Sequence, residues 1–383
     1  MNPPPDDQWD VAIVGAGVAG AVAAFRLARR GLRVLLADKA DWPRDKVCGG
    51  CINAAALHAL AALGLTEPAS LGQPYAEMRL SANGRQARVP LPAGRAISRR
   101  RLDAALVEAA TEAGAVFSPA TRVAPLEARD DSAGRRLELR RGAERWPVRA
   151  KIVLACDGLN SRLLQEPGEI QPGSRIGVGA VIGNAPSDYR PGIIYMACGA
   201  HGYAGLVRVE DRRLDVAAAL DPDWIKHIGG PAAAVTATLR SAGLPLFDAL
   251  ASARWRGTPQ LTRRHGRLGG YRLLALGDAA GYVEPFTGEG MAWAIASAAA
   301  IEPFVLAAVA DWRNELVEAW TVRHRALIRN RQRACRGIAT LLRRPRLVAG
   351  AVRVAAAAPA VAAPLTAWLN RDFKYPRMGA IET

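Results

Sequence analysis

Apolar positions change their period several times along the chain, and each change marks a predicted element. Residues 10–14 form a short apolar run that stops at Gly15, and residues 18–30 then place apolar side chains at helical spacing until Gly31 breaks the pattern. Residues 33–37 read as a second buried strand. The N-terminus therefore predicts a β-α-β unit, the start of a Rossmann-like α/β domain.

Further on, residues 99–114 again repeat with a helical period, and three alternating runs at 122–126, 136–140 and 145–148 predict a small antiparallel meander. Residues 151–156 return to a continuous apolar strand. The runs 176–182, 192–197, 204–209 and 214–220, separated by Gly, Asp and Pro, predict a second sheet. Residues 271–276 read as one more buried strand, followed by a long helical stretch at 288–310 that Pro303 should kink or divide. The remainder is helical and Arg-rich.

Composition narrows the class. With 383 residues, 50% hydrophobic and 22% charged, the chain has the make-up of a globular protein. The formal charge of +16 raises nucleic acid or an anionic membrane as partners. Ala and Arg are abundant throughout, however, and no nucleic-acid-binding motif accompanies the charge, so no nucleic-acid partner is expected. Five cysteines do not describe a disulfide framework. Residues 1–9 lack the basic and apolar regions of a signal peptide, which predicts a cytoplasmic protein. Residues 347–369 are long and apolar enough to cross a bilayer, but Arg353, Pro359 and Pro364 interrupt them, and a pair of short surface or interfacial helices is expected. The alternation of Arg with Leu, Ile and Ala over 323–346 suits either peripheral contact with an anionic membrane or a solvated helical face.

The chemistry begins at Gly15-Ala16-Gly17-Val18-Ala19-Gly20, a G-x-G-x-x-G between a predicted strand and a predicted helix. Gly15 permits the tight turn, Gly17 lets a pyrophosphate reach the backbone, and Gly20 lets helix and strand pack closely. Asp38, about 20 residues on, closes the second strand where a carboxylate can accept hydrogen bonds from a ribose. This unit alone does not separate FAD from NAD.

Two later segments do. Ala155-Cys156-Asp157-Gly158-Leu159-Asn160-Ser161-Arg162 and Gly277-Asp278-Ala279-Ala280-Gly281 each follow a predicted strand. In their order and separation they resemble the DG and GD motifs of the flavoprotein superfamily typified by p-hydroxybenzoate hydroxylase. The resemblance covers about the first 310 residues and implies FAD as cofactor, with Asp278 at the ribityl chain, Asp157 and Gly158 near the pyrophosphate, and Arg99 in contact with the flavin. Cys48-Gly49-Gly50 and Pro285-Phe286-Thr287-Gly288-Glu289-Gly290-Met291 look like the geranylgeranyl reductase branch, where such segments flank the isoalloxazine. That resemblance places Cys48, Gly49, Pro285, Gly288 and Gly290 against the ring, with Lys39, Arg44, Gly277 and Met291 completing the expected cofactor contacts.

These readings predict residues 1–75, 95–170 and 265–310 as a split FAD-binding domain, 76–94 and 171–264 as an inserted mixed β-sheet domain facing the substrate, and 311–383 as C-terminal helices. The expected activity is reduction of a C=C bond, or monooxygenation, of an apolar isoprenoid, polyketide or aromatic substrate, with NAD(P)H as electron donor. Gly202-Tyr203-Ala204-Gly205-Leu206 departs from the reductases' aromatic pattern, which leaves the substrate open. A flavin-based electron carrier, with Cys48 and Cys51 as a redox dithiol, is the alternative. A halogenase is a further one, although its W-x-W-x-I-P motif is missing. Cys48, Glu289 and His201 are the candidate catalytic residues; Glu289 serves equally well as a favourable charge at a helix N-terminus. No metal site is expected.

Overall fold

The computed structural model describes residues 8–126, 134–164, 166, 168–284, 286 and 288–371. The strand Gln8–Val14 lies inside a parallel sheet. On one side it pairs with Val34–Ala37, which pairs with Val116–Ser118; on the other it pairs with Glu144–Ala155, which pairs with Leu273–Ala275. All these pairings are parallel, and Val34–Ala37, Leu273–Ala275 and the second half of Glu144–Ala155 are almost wholly buried, as their continuous apolar runs require, while Val116–Ser118 at the edge is only partly covered. The helix Val18–Ala28 packs on this sheet with ten of its eleven residues buried. Its Arg26, with Arg30 just beyond it, reaches the buried carboxylate of Glu302, with Arg30 Nε at 2.7 Å from Oε1 and Arg26 Nε at 2.8 Å from Oε2. Two cations on one carboxylate compensate a charge whose isolation would cost about 3–5 kcal/mol.

The sequence pattern suggested separate runs at 145–148 and 151–156, and these are one twelve-residue strand. Its first half pairs antiparallel with Arg135–Arg141 and its second half parallel with Gln8–Val14, the partner changing at Arg149 and Ala150. The half-exposed first part alternates and the enclosed second part does not, so one element shows two periods.

The second sheet has eight strands, in the order Arg256–Gln260, Ile176–Ile182, Leu214–Leu220, Gly202–Arg208, Ile193–Gly199, Gln73–Ala82, Arg85–Ala96 and Cys51–Ile52. It is mixed through one parallel pairing, Ile193–Gly199 with Gln73–Ala82. Its outer face is covered by the helix Pro231–Ala242, which sequence periodicity missed because its buried face is partly alanine and threonine. The punctuation was present, however: Gly229-Gly230-Pro231 opens the helix and Gly243, at φ +76°, closes it.

The expected long helix at 288–310 is divided into Gly290–Ala300 and Glu302–Ala310, with Pro303 in the first turn of the second piece. This stretch is apolar and long enough to cross a bilayer, yet 72% of its most apolar window is buried inside the fold. A 27-residue helix, Glu315–Leu341, follows, and then the helices Pro345–Ala357 and Ala363–Leu369. The chain turns by 116° between these last two segments, giving the expected pair of short helices.

Close backbone approach is the tightest requirement of the parallel sheet. A Cβ on Gly20 would stand 1.9 Å from the Gly15 carbonyl oxygen and 3.2 Å from Cys156 Cβ. Gly20→Val is expected to destabilise the protein by at least about 1–3 kcal/mol, the usual cost of overpacking. The check is a drop in the denaturant midpoint with an unchanged slope.

Candidate cofactor and substrate site

Three turns leave the same edge of the parallel sheet from three adjacent strands: Gly15 after Gln8–Val14, Cys156-Asp157-Gly158 after Glu144–Ala155, and Gly277-Asp278 after Leu273–Ala275. Their backbones touch. At φ +104°, a Cβ on Gly15 would lie 2.3 Å from the Cys156 carbonyl oxygen, and one on Gly277 would lie 2.7 Å from Ala19 Cβ. The G-x-G-x-x-G, DG and GD segments, more than a hundred residues apart in sequence, thus share one surface.

Charge is concentrated there. Arg99, buried in the first turn of the helix Arg99–Glu112, is clamped by Asp103 through two 2.8 Å hydrogen bonds. Burial works against the charge, but the attraction and hydrogen bonds of Asp103, together with Cys48 and Asp278, outweigh it and hold the guanidinium firmly protonated. Arg44 donates to Asp103 at 3.0 Å and to Asp38 at 3.4 Å. Asp38 in turn accepts from the backbone N–H groups of Ala16 and Ala40, both at 2.9 Å. A Cβ built on Gly17 would meet only Arg99 Nη2 at 3.5 Å and Arg44 Nη2 at 3.7 Å. The N-terminus of Val18–Ala28 carries no side-chain cap. Free N–H groups, the positive end of the helix dipole and two guanidiniums therefore converge at one spot, the arrangement that holds a diphosphate. Lys39 is exposed beside this turn and draws on the charge of Asp157. Lys46 pairs with Asp278 at 3.3 Å.

Next to the charge cluster lies a cavity of about 650 Å³. Cys48, Gly49, Gly158, Asp278, Gly288, Gly290 and Met291 line the end nearest the turns. A Cβ on Gly49 would meet nothing within 4 Å, one on Gly158 only Lys46 Nζ at 3.8 Å, and one on Gly288 only the Cys51 carbonyl oxygen at 3.9 Å. These backbones open onto a space that a flat ring fits. Asp157 Oδ2 accepts from the Arg162 N–H at 3.2 Å, while its buried Oδ1 has no partner in hydrogen-bond geometry among the described residues. Burial pushes its carboxyl up. Pro285 lies outside the described residues.

Two of the three candidate catalytic residues stand away from the cavity. Glu289 is fully buried and accepts from Trp293 Nε1 at 2.9 Å and from Arg331 Nη1 at 3.0 and 3.2 Å, with Asn53 Nδ2 at 3.4 Å. It ties the Gly288 loop to the helix Glu315–Leu341. His201 stacks on Trp224 at 4.7 Å outside the cavity lining, its ring nitrogen 3.8 Å from Asp221. Cys48 does line the cavity, as do Cys51 and Cys156. Burial raises the pKa of Cys48 against the opposing charge of Arg99, and it raises Cys51 further with the help of Asp215. Both therefore stay thiols at neutral pH, which disfavours a dithiol switch. Among the described residues no group of three or more His, Cys, Asp or Glu could hold a metal.

Sequence reasoning turned the second sheet toward the substrate but missed the wall that the C-terminal helices supply opposite it. Met78, Leu80, Ile194, Met196 and Leu206 of the second sheet face Ile338, Leu342 and Val348 of the C-terminal helices across the cavity. Tyr203 also lines the cavity, its buried hydroxyl without a hydrogen-bond partner among the described residues, near the equally buried pair of Arg175 and Glu284 at 2.9 Å. Asp215 was also missed. Strand alternation puts it on the side of Ala217 and Ala219, and its Oδ2 stands 2.5 Å from the Cβ position of Gly50, beneath the Cys48–Cys51 loop. The available signal was one carboxylate in an otherwise apolar strand. Burial pushes its pKa well up, reinforced by Glu210 and Asp45 against Arg213 and Arg99. Folding therefore binds a proton here, and stability is lost as pH rises above the ordinary aspartate value of 3.8. Asp215→Asn should raise Tm at pH about 8, by roughly 2–4 °C per kcal/mol recovered, and leave it unchanged below the ordinary aspartate value of 3.8. Thermal melts at the two pH values check this.

Comparison with known proteins agrees with this geometry. The family described as FAD binding domain matches residues 8–318. Conditioned medium factor receptor 1 of Dictyostelium discoideum is 26% identical over 78% of this chain and 65% of that protein. A menaquinone reductase of Mycobacterium tuberculosis (strain H37Rv) is 37% identical over 29% of this chain and 28% of its own length. The digeranylgeranylglycerophospholipid reductase of Sulfolobus acidocaldarius is 48% identical over 12% and 11%. The chain thus spans less than two thirds of the length of these curated relatives. Among solved structures, a flavin-dependent brominase superposes with a TM-score of 0.76 at 17% identity, covering 95% of this chain and 94% of the brominase, a likeness of fold. Matched over most of its length, with the three strand-end turns joined around one charged cradle, the chain belongs to the FAD binding domain family and is a flavoprotein of the p-hydroxybenzoate hydroxylase-like group.

Proposed function

We propose that this chain is an FAD-dependent oxidoreductase that takes electrons from NAD(P)H and reduces a C=C bond of an apolar substrate. The observation that carries the reading is the continuous cavity, which begins at the small residues Gly49, Gly158 and Gly288 and runs into an aliphatic chamber. FAD, once bound, supplies reversible two-electron chemistry at its ring. The residues present fit it. Arg44, Arg99 and the uncapped helix end would hold the diphosphate, Asp278 a hydroxyl of the ribityl chain, and the Cys48-Gly49 and Gly288-Gly290 backbones the two sides of the ring.

The protein's own contribution is to position and to dry the site. The Gly288 loop is fixed by Glu289 and Arg331, and aliphatic side chains exclude water, which strengthens every charge interaction at the ring. Arg99 sets the local potential positive at the end of the cavity that Cys48 shares. Reduction is favoured over oxygen insertion by the Cys48-Gly49-Gly50 segment and by relatives whose names are those of reductases. An electron carrier has no use for so large an aliphatic chamber, and the protonated Cys48 and Cys51 do not suit a thiol switch.

The test is anaerobic reduction of the FAD-loaded protein by NADPH and by NADH, followed by a panel of polyprenols, quinones and aromatic compounds with and without labelled oxygen. A product that gains two hydrogens and no label is expected. A product that gains one labelled oxygen atom would replace this reading with monooxygenation.

A further inference from the structure

The wall of the cavity farthest from the glycine turns is built from the end of the helix Glu315–Leu341, the helix Pro345–Ala357 and the turn after it. Leu341, Val354 and Val361 line the cavity and are also 40%, 54% and 61% exposed. Leu347, 50% exposed, extends the outward apolar row. Large apolar side chains left this accessible to water bring no benefit to the core, a cost that contact with a partner removes.

The charge carried by this stretch of the chain has one sign. Residues 319–371 contain eleven arginines and not one Asp or Glu. Arg344, Arg346 and Arg353 are exposed and carry no ion-pair partner among the described residues. Arg343, beside them, reaches the Gly173 carbonyl and stands 3.9 Å from Asp221. Short helices with exposed aliphatic residues and flanking arginines match an interface that is apolar below and anionic above. A second copy of the chain would set arginine against arginine, and a nucleic acid would leave the aliphatic row uncovered.

We propose that the helix pair after Leu341 docks on an anionic lipid surface, and that the cavity opens into that surface, so that a membrane-borne apolar substrate enters without crossing water. The entry step rests on the substrate class proposed above; the docking step does not, since it concerns the outer face alone. Binding of phospholipid is thereby separable from turnover.

The experiment is co-sedimentation of the FAD-loaded protein with vesicles of phosphatidylcholine alone or with added phosphatidylglycerol, at low and high salt. Binding to the anionic vesicles, weakened by salt, is expected. Leu347→Asp with Val361→Asp should weaken it at least about tenfold, while the triple change Arg344→Gln, Arg346→Gln, Arg353→Gln should remove the preference for phosphatidylglycerol. An unchanged flavin spectrum shows that each variant is folded. No binding to anionic vesicles, or equal binding by the apolar double variant, would overturn the proposal. So would salt-sensitive binding to DNA without vesicle binding, or a dimer in analytical ultracentrifugation that the double variant dissociates. If vesicle binding holds and no polyprenol or quinone is turned over, the substrate reading fails and docking stands.

Discussion

The site depends on the adjacency of three parallel strands. Because Leu273–Ala275, Glu144–Ala155 and Gln8–Val14 lie side by side and point the same way, the turns after them must emerge together. Parallel neighbours also force the backbones of those turns to within contact of one another, which is why Gly15, Gly20 and Gly277 have no room for a side chain. Everything else in the cofactor cradle is fastened to this meeting point. Asp38 closes it from below through the Ala16 N–H, Asp38 and Asp103 hold Arg44, and Asp103 holds Arg99.

The two sheets then divide the labour. The parallel sheet presents charge and backbone donors, and the mixed sheet presents methyl and thioether groups across from the C-terminal helices. Between them the chain runs three small-residue segments, at Gly49, Gly158 and Gly288, whose lack of side chains leaves a slot. Polar groups that could fill the slot are held elsewhere. Glu289 is saturated by Arg331 and Trp293, and Tyr75 donates to the Ile52 carbonyl at 3.1 Å. Such satisfied groups shape the chamber without entering it.

Local chemistry was legible in the sequence wherever it had a period or a fixed spacing. The β-α-β unit, the three glycine motifs and four of the eight strands of the mixed sheet follow from runs and turns of a few residues, whereas Cys51–Ile52, Gln73–Ala82, Arg85–Ala96 and Arg256–Gln260 were not read as strands. What had no local signature was missed. Helix Pro231–Ala242 hid in its small residues, and the single strand Glu144–Ala155 looked like two because its partners change midway. Glu289 and His201 have the right side chains for acid–base work, but long-range contacts with Arg331 and Trp224 take them out of the cavity. Asp215 and the aliphatic wall after Leu341 became visible only once sheet register and helix docking set them beside the loop and the chamber.

The central claim is that charge at the glycine turn and the slot beside it form one dinucleotide site. Fluorescence titration of the apoprotein with FAD, with FMN and AMP as half-ligands, tests it most directly, using wild type and Arg99→Ala. FAD is expected to bind far more tightly than either half, and Arg99→Ala to weaken it by roughly 10–150-fold, the worth of a hydrogen bond to a charged group. Equal affinity for FAD and AMP, or no effect of Arg99→Ala, would contradict the claim.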